Sequence, residues 1–337
     1  MKLASFRTRQ CSDSKVGAAI SINNTGYLVD LTKAYSKYLK DIEKDPLAFE
    51  IAQIRIPYDM KNFLYGGAKT LEAAHQAFSH IETTLNIHGE LEPLISVGIV
   101  FHEDSVDLLA PIRNPGKIIS TGGNYQSHIE KDTSNINVIK KFPNHPIQFL
   151  KMPSSIVGCN ESIIKSKYTD ELDYEVELAI VIGVTCKDVP TENWLDVIAG
   201  FTIVNDVSMR DIILHELEFG SILYGKNLDS CCPLGPYIVT KDEIKDADNL
   251  NIQLSVNGEV RQSDNTRNMR FNCGEILSYS SRVTLEPGDI ITTGTPSGVA
   301  GFKKQRADLL LKPGDVIEAQ IEQIGILKSH VIDERHA

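Results

Sequence analysis

The stretch that most constrains this chain is Asp173-Tyr174-Glu175-Val176-Glu177-Leu178-Ala179-Ile180-Val181-Ile182-Gly183. Its five consecutive apolar residues, 178–182, predict a strand covered on both faces, because the alternation of a half-exposed strand is lost there. Glu175 and Glu177 stand two residues apart at the mouth of that strand, so they project from one face. Buried together they repel, and each carries a desolvation cost of several kcal/mol unless paired. A divalent cation removes both costs at once, and all-oxygen ligation suits Mg²⁺, Mn²⁺ or Ca²⁺ rather than zinc. A plainer reading stands beside this one: two solvated acids at an exposed strand end, a common spacing.

The next apolar strand, Gly200-Phe201-Thr202-Ile203-Val204-Asn205-Asp206, also ends in a carboxylate. Alone, Asn-Asp after a strand reads as turn chemistry. Beside the two glutamates, Asp206 completes a facial set of three oxygens and leaves positions for substrate and water.

At 337 residues the chain has room for one large domain, or for a domain and a smaller partner. Its formal charge of −11 argues against the basic face that non-specific nucleic-acid binding needs. No run approaches the ~20 apolar residues of a membrane span, and the start, Met1-Lys2-Leu3-Ala4-Ser5-Phe6-Arg7, lacks the apolar core of a signal peptide. The expectation is a soluble, cytoplasmic protein with neither nucleic-acid nor membrane partners. Cys11, Cys159, Cys186, Cys231, Cys232 and Cys273 show no CxxC or CxxH spacing and read as reduced, mostly buried thiols.

Residues 1–110 are expected to form an accessory domain of mixed structure, with short strands at 18–22 and 94–100 and helices at about 31–43 and 69–86. In the second helix Leu71, Ala74, Phe78, Ile81 and Leu85 recur at helical spacing and make one apolar face, while His75 and His80 do not share a face. Pro111, Pro115 and Gly116 mark a boundary, and residues 111–337 then alternate short apolar runs with Gly and Pro turns. Two Pro-Gly-Asp turns, at 287–289 and 313–315, deliver the chain into strands, and Asn257-Gly258 predicts a tight hairpin. The expected fold class is α+β, mainly β.

Three further segments bear on chemistry. Gly122-Gly123-Asn124-Tyr125-Gln126-Ser127-His128-Ile129-Glu130 follows a strand near Ile118, and its glycines allow a sharp turn close to a ligand. His128 there reads either as a general base at neutral pH or as a surface histidine at the start of a loop or helix. Lys226, after Gly225, reads either as a charge that neutralises a carboxylate or enolate oxygen, or as a solvated lysine. Gly294-Thr295-Pro296-Ser297-Gly298 offers N–H groups and hydroxyls to an anion, or simply connects two strands.

Taken in order, Asn124-Tyr125-x-x-His128, Asp173-Tyr174-Glu175-Val176-Glu177, Asn205-Asp206-Val207-Ser208-Met209-Arg210-Asp211, Gly225-Lys226, Cys232-Pro233-Leu234-Gly235-Pro236, Val256-Asn257-Gly258-Glu259 and Thr293-Gly294-Thr295-Pro296-Ser297-Gly298-Val299 resemble the fumarylacetoacetate hydrolase superfamily. The resemblance spans roughly residues 111–330. Residues 1–110 resemble, less specifically, the accessory domain of its longer bacterial members.

The resemblance implies a mixed β-roll catalytic domain over 111–337, a smaller N-terminal α/β domain, and a homodimer. It implies a divalent cation, Mg²⁺ first and Mn²⁺ or Ca²⁺ otherwise, held by Glu175, Glu177 and Asp206. The activity it implies is catabolic: metal-dependent hydrolysis of a C–C bond in an acylpyruvate or fumarylacetoacetate-like 1,3-dicarbonyl or 2-oxo acid. An isomerase, decarboxylase or 2-oxo-3-deoxy sugar-acid dehydratase at the same metal–enolate site is the alternative. A non-catalytic metal- and oxo-acid-binding sensor is a reading of another class. His128, Glu130 and Lys226 take the catalytic positions; Tyr125, Lys151, Arg210 and Thr295 take substrate-binding ones. Two positions depart from the pattern. Lys131 stands where a lid glutamate pairs with the histidine in smaller members, and Glu130, one residue short, is rotated by about 100° on a helix. Ile213 stands where a glutamine commonly follows the Arg-Asp pair, which points to a less polar or differently shaped substrate or to weakened hydrolysis.

Overall fold

The computed structural model describes residues 1–89, 91–132, 143–301 and 304–336. As the apolar run requires, Val176–Ile182 is buried at every residue and lies inside a twelve-stranded sheet. From edge to edge the sheet runs Val100–His102, Thr25–Asp30, Lys15–Ile22, Lys2–Thr8, Cys232–Thr240, Ile198–Asn205, Val176–Ile182, Ile290–Thr292, Ile118–Gly122 and Ile147–Lys151. Two short strands join off this path, Val106–Leu109 on Lys2–Thr8 and Ile156–Val157 on Cys232–Thr240. Val176–Ile182 is antiparallel to both neighbours.

A second sheet of five strands, in the order Glu259–Asn265, Asn251–Val256, Val316–Ile321, Gly325–Asp333 and Ser162–Lys165, covers one face of the first. Leu178, Ile180, Phe201 and Ile203 from the large sheet share a core there with Ile252, Leu254, Ile317 and Leu327. Each such side chain contributes roughly 1.5–3 kcal/mol by leaving water. Strands outweigh helices around this core, in keeping with the α+β, mainly β class.

Residues 1–110 continue the large sheet. Lys2–Thr8 pairs antiparallel with Cys232–Thr240 through Lys2↔Val239 and Leu3↔Ile238. The change near residue 110 is a change of core: Leu31, Ala52, Ile56, Phe63, Ala74 and Ile81 pack on Val181 and Ile238 from the other side of the sheet.

The helix expected at 69–86 is Gly67–His88. That expected at 31–43 is Leu31–Tyr38, continued by a π-helical turn, Leu39–Glu43, and ended by Lys44 at φ +54°. The strand expected at 94–100 is wrong: Leu91–Ser96 is helical, and only Val100–His102 is strand. Pro93 sits in the first helical turn, where its missing N–H costs nothing, and Gly98 at φ +67° turns the chain. Helices Ala48–Arg55 and Met60–Tyr65 went unread. In the first, Phe49 and Ile54 face solvent, which blurs the apolar stripe. The Asn257-Gly258 hairpin and both Pro-Gly-Asp turns are present. In each of these turns the aspartate accepts a backbone N–H three residues back: Asp289 from Glu286 and Asp315 from Lys312, both at 2.8 Å.

Candidate metal centre

Antiparallel pairing brings the start of Val176–Ile182 to the end of Ile198–Asn205, with Val176 opposite Asn205. The acids at those ends therefore meet. Asp206 N–H donates to the Glu175 carbonyl, and Glu175 N–H to Asn205 Oδ1, each at 2.8 Å. Ligand oxygens of Glu175, Glu177 and Asp206 lie within 4.8 Å of one another. Their exposures of 4, 1 and 1% rule out the solvated-acid reading.

Three buried cations ring the triad. Lys226 Nζ donates to Glu175 Oε2 at 2.8 Å and Asp206 Oδ2 at 2.7 Å. Lys151 Nζ lies 2.7 Å from Asp206 Oδ1 and also donates to the Lys226 carbonyl. Arg210 Nη2 donates to Glu175 Oε1 at 2.5 Å, and its Nε to Asp173 Oδ2 at 2.8 Å. Among the described residues four carboxylates thus face three lysine and arginine cations.

The fourth carboxylate is Glu177. Among the described residues it has no ion pair, and its Oε2 accepts the Gly294 N–H at 2.9 Å. Burial, then the charges of Asp206 and Glu175, push its carboxyl well above the usual range. Burial also penalises the Glu175 anion, but Lys226 and Arg210 outweigh it and hold that carboxyl well below the usual range. A site of oxygen donors only, buried and with one carboxylate unpaired among the described residues, fits a hard divalent cation.

The loop 294–298 closes the centre from the side. Gly294 at φ +87° comes so near Asn124 that a Cβ there would lie 2.9 Å from the Asn124 Cβ. Asn124 in turn ties this loop to another segment, donating to the carbonyls of Thr293 at 2.8 Å and Phe271 at 3.0 Å. Thr295 Oγ1 donates to the Val176 carbonyl at 2.9 Å. Gln262, fully buried, accepts the Val176 N–H at 3.0 Å and donates to Thr295 Oγ1 at 2.7 Å and the Pro296 carbonyl at 2.8 Å. Sequence reasoning missed Gln262, because a polar residue in a hairpin strand reads as solvent-facing.

Helix Gln126–Asp132 carries the histidine. His128 is buried on this helix. Glu130 is exposed and accepts a hydrogen bond from Gln126 Nε2 at 2.7 Å. Two residues beyond His128, it lies about 200° around the helix axis, and the fold does not bring it to the triad. Lys131 is exposed as well. Tyr125 is fully buried, and its hydroxyl has no hydrogen-bond partner among the described residues. Burial, then nearby acids led by Asp264, raise its pKa well above the phenol range, so it is neutral. Ile213 packs behind the turn that carries Lys226: a Cβ on Gly225 would lie 2.4 Å from Ile213 Cγ1. Of the expected site residues, then, the fold gathers Glu175, Glu177, Asp206, Lys151, Arg210, Lys226 and Thr295, buries Tyr125 and His128, and leaves Glu130 exposed.

Residues 117–332 match the family described as fumarylacetoacetate (FAA) hydrolase C-terminal. The chain is 39% identical over 278 residues to oxaloacetate tautomerase Fahd2a, mitochondrial, of Rattus norvegicus, covering 82% of this chain and 80% of that one. It is 40% identical over 228 residues to 2,4-didehydro-3-deoxy-L-rhamnonate hydrolase of Sphingomonas sp. (strain SKA58), covering 67% and 76%. Among solved structures it is similar to maleylpyruvate hydrolase from Sphingobium sp. SYK-6 in complex with manganese(II) and pyruvate. That likeness has a TM-score of 0.65 and 26% identity, and covers 99% of each chain. No helix among the described residues is long and apolar enough to cross a membrane.

Proposed function

The chain belongs to the fumarylacetoacetate hydrolase family, and from that premise we propose that it is a divalent-metal-dependent enzyme interconverting the keto and enol forms of a short 2-oxo dicarboxylate, oxaloacetate in the first instance. The observation that carries this choice is the orientation of helix Gln126–Asp132, which buries His128 and turns Glu130 to solvent. Enolisation moves one proton from C3 and places negative charge on the C2 oxygen. It needs a base and a cation, and no activated water.

Glu175, Glu177 and Asp206 hold the ion, Mg²⁺ first and Mn²⁺ or Ca²⁺ otherwise. When bound, it polarises the 2-oxo group as a Lewis acid. His128 takes the proton from C3 and gives it to the C2 oxygen, and carries it back in the enol-to-keto direction. Lys226 sets a positive charge where the enolate oxygen develops, inside a water-poor pocket where such charge counts most. Lys151 and Arg210 fix the carboxylates, and Tyr125 adds a neutral donor to the pocket wall. A rat relative named as an oxaloacetate tautomerase supports the reading. We assign the enzyme to the cytoplasm as a homodimer with residues 1–110 as its accessory domain. Light scattering at twice 37.3 kDa and cell fractionation test those two points.

C–C hydrolysis of an acylpyruvate is the second reading, favoured by the match to a rhamnonate-derived oxo-acid hydrolase. In it His128 activates water instead. The deciding experiment follows the enol absorbance of oxaloacetate and of an acylpyruvate panel, with Mg²⁺, Mn²⁺ or EDTA. Metal-dependent loss of enol oxaloacetate, with the acylpyruvates intact, supports tautomerisation. Release of pyruvate from an acylpyruvate without faster tautomerisation selects hydrolysis, and indifference to EDTA sinks both.

A further inference from the structure

Val176 lies between the two metal glutamates, and its backbone is bonded in an unusual way. The strand Ile290–Thr292 pairs with Val176–Ile182 through Ala179↔Thr292, Ile180↔Ile291 and Val181↔Ile290. Thr293 N–H continues the ladder to the Leu178 carbonyl at 3.0 Å. In that register Thr295 falls opposite Val176 and would complete the next backbone pair. Gly294 at φ +87° turns the chain away first.

Side chains finish the ladder instead. Thr295 Oγ1 gives its proton to the Val176 carbonyl, and Gln262 Oε1 accepts the Val176 N–H. Gln262 Nε2 then links both by donating to Thr295 Oγ1 and the Pro296 carbonyl. Gly298 at φ +119° makes room for this junction: a Cβ there would lie 2.0 Å from the Arg261 carbonyl oxygen. The closure therefore joins three elements, including a strand of the second sheet.

We infer that Gln262 is a positioning residue for the metal centre, acting through Val176 and Thr295 to aim Glu175 and Glu177 at one point. Thr295 belongs to the same device. Its hydroxyl links the Val176 carbonyl to Gln262. The inference rests on reading Glu175, Glu177 and Asp206 as a metal centre. Partners that orient ligands from outside the coordination sphere typically cost about 10–100-fold in metal affinity when removed.

The test is Mn²⁺ binding by the full chain, read from the electron paramagnetic resonance of free Mn²⁺, together with the rise in Tm on adding Mn²⁺. Gln262→Leu and Thr295→Val are expected to weaken binding by about 10–100-fold and to shrink the Tm increment. Thr295→Ser, which keeps the hydroxyl, binds like the unsubstituted chain. A purely structural role would lower Tm with and without metal equally and leave the increment and affinity intact, and that result overturns the inference. Should Gln262→Leu fail to fold, Thr295→Val decides by the same criteria. Failure of the unsubstituted chain to bind Mn²⁺ overturns the metal reading and this inference with it. Binding that Gln262→Leu leaves undiminished overturns this inference alone.

Discussion

One strand, Val176–Ile182, begins in the charged centre and ends in an apolar core. At Glu177 its neighbours are acids and cations buried together. At Val181, four residues on, it packs with Ile238, Leu31 and Ile81. The two ends are equally dry and obey different rules. Apolar packing is non-directional, and near-isosteric changes cost little. Buried charges hold only as a set, and losing one partner strands the others.

The sharpest way to break the charged end is Arg210→Leu, which takes the guanidinium from both Asp173 and Glu175. We expect a loss of about 3–5 kcal/mol of unfolding free energy, read by urea denaturation. Lys226→Met removes the charge that touches two ligands. Turnover in the enol assay is expected to fall about 10²–10³-fold, and a fall under about threefold would refute its assigned role.

Glu177→Gln turns the comparison round. It deletes the carboxylate that no cation pairs among the described residues, so the metal-free protein should hold or gain Tm. It also deletes a ligand. The unsubstituted chain at 100 times the metal Kd gains about 2.7 kcal/mol by mass action, and the variant should lose most of that increment. At the apolar end Ile238→Val should cost about 0.5–1.5 kcal/mol and leave Mn²⁺ binding untouched.

The smallest effect expected is on thiol chemistry. Burial pushes Cys231 and Cys232 up to about 12. Both are therefore neutral thiols at pH 8, since a raised thiol pKa keeps the proton on until the pH approaches that value. A maleimide should label the exposed Cys11 in the native protein and reach Cys231 and Cys232 only after denaturation.

The charged end was the more legible of the two in the sequence. Its strand is an unbroken apolar run with acids at the mouth, and adjacent antiparallel strands bring their ends together by rule. Asp206 was legible as a carboxylate where the next apolar strand ends. Gln262 did not, because its partners come from a loop 33 and 34 residues away and from Val176. Glu130 was half legible: its offset from the lid position was plain, but its bond to Gln126 required the helix to be seen. The helix Leu91–Ser96 was misread because Leu-Ile-Ser-Val between a proline and a glycine suits a short strand equally well. The pairing of Lys2–Thr8 with Cys232–Thr240 has no local signature at all.

That last pairing orders events during synthesis. Lys2–Thr8 carries Lys15–Ile22 on one edge; on the other, Val106–Leu109 takes Ser5–Thr8 and Cys232–Thr240, made last, takes Lys2 and Leu3. At about 5–20 residues per second, the ribosome takes on the order of ten seconds or more to deliver it. Until then the start of that edge, at Lys2 and Leu3, stays open beside the Val106–Leu109 pairing, and the amino-terminal core lacks Ile238, which leaves a site for pairing with a neighbouring nascent chain. A message truncated before codon 232 should therefore yield aggregate rather than a free amino-terminal domain.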